Sequence, residues 1–105
     1  MLFIVIATDG PESAERRRTH LDAHLAWVLT VMDRLRVAGP ARDAPGGPPC
    51  MSVYILEAAD EADARALVAR DPYFRAGVWQ SLEFRHFSAA AGTWVGGAAW
   101  LPKTG

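Results

Sequence analysis

Several features that mark whole classes of protein are missing from this sequence. It has a single cysteine, Cys50, so no internal disulfide can staple it. It has no basic excess: eleven Lys and Arg stand against twelve Asp and Glu, a net charge of −1. That balance offers no field to nucleic acid phosphates, and no nucleic acid partner is expected. The apolar run from Leu2 to Ala7 has no preceding Lys or Arg and is followed by Asp9. It is too short for a signal-peptide core or a membrane span, so the expectation is a cytoplasmic chain with no membrane partner. His20 and His24 stand four apart without Cys or Glu arranged around them, and Gly96-Gly97 lies outside any strand-to-helix turn. Neither a metal nor a cofactor is therefore expected. No repeat and no interdomain linker interrupts the chain.

What remains is 105 residues, half of them apolar, which suits one small domain with a real core. Leu2 to Ala7 is unbroken by polar residues, as in a strand covered on both faces. Thr8-Asp9-Gly10-Pro11 supplies turn chemistry. From Glu12 to Val37 the spacing predicts a long helix, with Leu21, Leu25, Val28, Leu29, Met32 and Leu35 inside an arc of roughly 120°. Ala38-Gly39-Pro40 is expected to stop it. Gly39 to Pro49 reads mostly as a loop, although a short strand can begin near Val37. Met51 to Glu57 reads as a strand. Asp60 reads as the cap of a short helix, Asp71-Pro72 as the opening of one more turn, and Val78 to Phe87 as the last strand.

The order strand, long helix, strand, strand, short helix, strand predicts a ferredoxin-like βαββαβ α+β fold with an antiparallel sheet. Two helices cover one sheet face only. Because the first strand is apolar on both sides, the other face needs a cover, and a second copy of the chain is the simplest one.

Three patterns together resemble the YciI-like (YCII-related) family. They are Arg16-Arg17-Arg18 leading to His24-Leu25, then Ala38-Gly39-Pro40, then Asp71-Pro72-Tyr73 followed by Ala76-Gly77-Val78 and a strand ending at Phe87. The resemblance spans residues 1–88 and leaves 89–105 as a C-terminal extension. It implies a ferredoxin-like unit that pairs into a dimeric α+β barrel. It also implies a His–Asp pair at the site, with a dehydrochlorinase among the relatives. The chain departs from the family's pattern at Met51 and His86, which bears on the shape of the pocket.

The site candidates follow from position and chemistry. His24 falls about 60° from Leu21 on the helical wheel, at the edge of the apolar arc. Spacing alone leaves open a core histidine bonded to a backbone carbonyl; the resemblance points instead to an acid–base group. Asp71 is a cap, a partner that holds one imidazole tautomer, or both. Arg17 and Arg18, at the start of the long helix, are solvated surface groups or supply a guanidinium that grips a substrate carboxylate. Ser52 and Tyr54 line the strand face opposite Met51, Val53 and Ile55, as pocket wall or as part of a dimer interface. Tyr73 and Trp79 are packing or pocket aromatics. Cys50 has no base near it and is not read as a nucleophile.

Two functions are consistent with these residues. One is a small homodimeric lyase, isomerase or dehydrochlorinase that acts on a small organic acid or aromatic compound through His24 and Asp71. The other is a non-catalytic module that binds a small molecule or a protein. The tail, with Trp94 and Trp100, is expected to pack across a partner subunit or over the cleft mouth.

Overall fold

A computed structural model describes residues 1–102. Its central strand is β1 (Leu2–Asp9), where the unbroken apolar run sits between two antiparallel neighbours, β3 (Pro49–Glu57) and β4 (Trp79–Phe87). The strand β2 (Leu35–Arg42) adds to the far side of β3, giving the order β2-β3-β1-β4. The helix α1 (Ser13–Thr30) joins β1 to β2, while α2 (Glu61–Val68) and the single turn α3 (Pro72–Arg75) join β3 to β4. This is the ferredoxin-like α+β arrangement with both crossovers on one face of the sheet.

The pleat explains the first strand. Phe3, Val5 and Ala7 are wholly buried on the helix side, while Leu2, Ile4 and Ile6 are half-buried on the other. Phe3 and Val5 join Tyr54, Leu56, Leu67, Val68, Val78 and Phe84 in one core. Asp60 caps α2 by accepting from the Asp63 N–H at 2.8 Å. The Asp63 carboxyl is held below its ordinary range, first by the Ala59 N–H and then by Arg34, with burial opposing. Gly77, with φ of 74°, turns the chain from α3 into β4, a backbone state that favours glycine.

The long helix differs from its sequence reading. It stops at Thr30, a 3-10 turn spans Met32–Arg34, and Leu35 already belongs to β2. Ala38, Gly39 and Pro40 are strand, not helix stop or loop, and the loop shortens to residues 43–48. Pro40 is tolerated because β2 is an edge strand, with β3 on one side only. The face of α1 turned to the sheet is also different. Ser13, Arg17 and Val31 are buried and His20, His24, Trp27 and Val28 half-buried, whereas Leu21, Leu25, Leu29 and Met32 are exposed. Polar partners draw three of these inward: Ser13 donates to the Val78 carbonyl, Arg17 meets Asp9 of β1, and His24 meets Asp71 at the start of α3.

The other face of the sheet carries Leu2, Ile4, Ile6, Val37, Val53 and Ile55 with no helix over them. Beyond β4 the chain makes a small hairpin of β5 (Ala91–Gly92) and β6 (Gly97–Ala98), with a 3-10 turn over Thr93–Val95 between them. The tail does not cover the cleft mouth within the protomer, and Trp94 and Trp100 are 83% and 70% exposed. The hairpin leaves from Phe87, which registers with Leu2 on the open face, so Trp94 borders Ile55 and Phe87 instead. No described helix is long and apolar enough to cross a membrane.

Candidate functional site

Asp71 has no exposure at all, and a carboxylate so placed must find donors. It finds three. Its Oδ1 accepts from the Tyr73 backbone N–H at 2.9 Å, the capping bond that Asp71-Pro72 foreshadows. The same oxygen lies 2.7 Å from His24 Nδ1. Its Oδ2 accepts from the Tyr54 hydroxyl at 2.6 Å. The three donors come from α3, α1 and β3, so one carboxylate gathers three elements.

The imidazole is fixed in orientation as well as position. Its ring stacks on Tyr73 at 3.9 Å between centroids with only 5° between the planes. An Nδ1–H donated to Asp71 leaves Nε2 with a free lone pair. His24 also borders a cavity of about 460 Å³. One wall is Arg17, Arg18, Leu21, Leu25 and Val28 of α1; facing elements contribute Ala38 to Pro40, Arg42, Pro48, Pro49, Ser52, Tyr54 and Tyr73. Leu21 and Leu25, which periodicity assigns to the core, are cavity wall instead.

Arg17 is the second buried polar group of α1. Its Nε and Nη2 bond both oxygens of Asp9 at 2.7 and 2.8 Å, and Nη2 also donates to Ser52 Oγ at 2.9 Å. The Tyr73 hydroxyl donates to the Arg17 carbonyl at 3.3 Å. Burial lowers Arg17, but the hydrogen bond and charge of Asp9 outweigh it and leave the guanidinium above its ordinary value. Burial raises the Tyr54 hydroxyl far above its ordinary value, and the charge and hydrogen bond of Asp71 add to the effect. Tyr54 thus remains a donor throughout the working pH range.

The structure brings His24, Asp71, Arg17, Ser52 and Tyr73 together. It does not bring Trp79 to the cavity. Trp79 is buried behind the site, edge-on to Tyr54 and Tyr73 at 6.1 Å from each, because β4 lies across β1 from the cavity side of the sheet. Met51 and His86, where the chain leaves the family pattern, do not line the cavity either. Sequence reasoning missed Asp9 as the partner of Arg17, Tyr54 as the partner of Asp71, and Arg42 as cavity wall. Tyr54 is placed with Ser52 on the possible pocket face, and only its bond to Asp71 has no signal in the sequence. Asp9 and Arg42 had none, one lying in a presumed turn and the other in a presumed loop.

An antiparallel ferredoxin-like unit with a cavity between its long helix and its β2–β3 hairpin defines the class. The YCII-related domain model matches residues 1–88, and the chain belongs to that family. Protein YciI of Escherichia coli and that of Shigella flexneri are each 32% identical to it over 94 residues, covering 83% of this chain and 96% of theirs. Among solved structures, a 5-chloro-2-hydroxyhydroquinone dehydrochlorinase from Burkholderia phenoliruptrix, in complex with 2,5-dihydroxybenzoquinone, matches with a TM-score of 0.78 at 27% identity. The match covers 89% of this chain and 97% of that one.

The Tyr54 bond makes a prediction with a defined sign. The folded value lies above the unfolded 10.0, so its stabilising share is present below pH 10 and is lost as pH rises beyond it. Tyr54→Phe should lose about 1.5–3 kcal/mol at neutral pH, the scale of a hydrogen bond to a charged group. Its stability should then fall less steeply than the parent's above about pH 10, where the unfolded parent releases a proton that the folded one keeps. Urea unfolding from pH 7 to 11 tests this; equal slopes in the two proteins would contradict it.

Proposed function

We propose that the chain is an enzyme of lyase, isomerase or dehydrochlorinase type that moves a proton on a small organic acid or aromatic compound. The observation that carries the reading is the 2.7 Å contact between His24 Nδ1 and the fully buried Asp71, made by a ring that borders the cavity. In this reading Asp71 holds the imidazole with Nε2 unprotonated. Nε2 takes a proton from substrate carbon or oxygen, and the electron pair of that bond stays on the substrate. In an elimination that pair forms a double bond while a leaving group, such as chloride, departs with its own electrons. In an isomerisation the proton returns at another atom. The imidazolium formed in between is stabilised by Asp71. The solved dehydrochlorinase supports the elimination form by analogy of fold and family.

Positioned acid–base groups contribute roughly 10²–10⁴-fold to rate. Chloride release from 5-chloro-2-hydroxyhydroquinone, with binding of 2,5-dihydroxybenzoquinone followed alongside, is the direct assay. His24→Asn keeps a donor for Asp71 and should preserve the melting temperature while turnover falls by about 10²–10⁴-fold. Undiminished turnover in His24→Asn would contradict the proposal. Tight quinone binding with no turnover in the parent would favour the non-catalytic reading.

We propose further that two copies meet through the open sheet face. Support comes from Leu2, Ile4, Ile6, Val37, Val53 and Ile55, an apolar surface that no helix covers. Ile4→Glu should leave the helix-side core intact and shift the chain from dimer to monomer in sedimentation. A parent that sediments at 11.4 kDa at micromolar concentration would overturn this.

A further inference from the structure

The charge of the cavity is unlike that of the chain. Overall the protein is slightly acidic, yet the cavity wall holds three arginines and neither Asp nor Glu. The three differ in what they have left to give. Arg17 is neutralised by Asp9 and shares its Nη2 with Ser52, so its charge is spent on the fold. Arg18 makes no side-chain hydrogen bond or ion pair among the described residues. Arg42 donates through Nε to the Gly47 carbonyl at 2.8 Å and has no acidic partner among them. That bond pins its stem to the hairpin loop, which a Gly47 N–H to Ala44 carbonyl bond of 3.0 Å closes, and both Nη groups stay unengaged among the described residues. One free guanidinium thus stands on the helix wall and the other on the hairpin wall.

We infer that Arg18 and Arg42 form the anion-binding end of the cavity and select a substrate with a carboxylate on an apolar body. A guanidinium fork matches the two coplanar oxygens of a carboxylate, and an ionised partner shortens and strengthens each bond. Leu21, Leu25, Val28, Pro40, Pro48 and Pro49 supply the apolar wall for the rest of the molecule, while Arg18 and Arg42 are exposed to solvent. The anchor for the anion is therefore this pair: of the two arginines at the start of α1 that the sequence offers, Arg18 is the free one and Arg17 is held by Asp9. The inference rests on the proposed function only in taking the same cavity as the substrate site; it does not depend on His24 acting as a base.

The test compares benzoate, benzyl alcohol and phenyl phosphate as probes by calorimetry on the whole chain. Benzoate should bind the parent at least about tenfold more tightly than benzyl alcohol, and added salt should narrow the gap. Arg18→Gln and Arg42→Gln should each weaken benzoate about tenfold and leave benzyl alcohol unchanged. Arg42→Lys, which keeps the charge and loses the fork, should fall between and serves if Arg42→Gln does not fold. Equal binding of benzoate and benzyl alcohol, or benzoate binding unmoved in all the arginine variants, would overturn the inference. Tighter binding of phenyl phosphate would overturn the carboxylate assignment. These measurements read binding and not turnover, so failure of the catalytic reading and failure of this one give different results.

Discussion

The organisation of the site depends on one buried carboxylate. Asp71 sits at zero exposure in a domain whose core is otherwise largely aliphatic and aromatic, where an unpaired charge would cost several kcal/mol. Its oxygens are met from α3, β3 and α1 at once. Each donor is held in turn: Tyr73 by its backbone in the capped turn, Tyr54 by the sheet, and His24 by stacking on Tyr73. The helix end, the strand and the long helix can satisfy Asp71 only in one relative placement, and in that placement His24 and Tyr54 border the cavity.

The same logic governs how α1 lies on the sheet. An amphipathic helix usually rests on its apolar stripe. Here the buried face carries Arg17 and His24, each matched to a carboxylate that the sheet or α3 presents, with Trp27 and Val31 filling the apolar end. The leucines are displaced by a fraction of a turn, so Leu21, Leu25 and Val28 wall the cavity and Leu29 faces out. Polar matching thus opens a cavity between helix and hairpin that apolar packing alone would close.

Much of this was legible in the chain. The apolar run of β1, the Asp60 and Asp71 caps and the element order follow local rules, and local rules hold where tertiary contacts agree with them. His24 and Asp71 were both singled out, and they meet at 2.7 Å although 47 residues separate them. The end of α1 was misread because Met32 and Leu35 continue the helical spacing by coincidence after the helix has stopped. The strand β2 is legible only as a short strand from near Val37, because Gly39 and Pro40 read as loop, residues that an edge strand tolerates and a central one does not. Arg42 and Asp9 were invisible because their roles depend on partners across the fold, which spacing along one element cannot reveal.

Asp71 should hold the neutral His24 ring as the Nδ1–H tautomer with Nε2 free. Nitrogen-15 spectroscopy of the histidine rings in the folded protein measures this directly. Wherever the ring is neutral, Nδ1 of His24 should carry the proton and Nε2 should not, with the pattern lost in Asp71→Asn. A His24 ring protonated at Nε2 alone, or one averaging freely between tautomers as an unpartnered imidazole does, would contradict it.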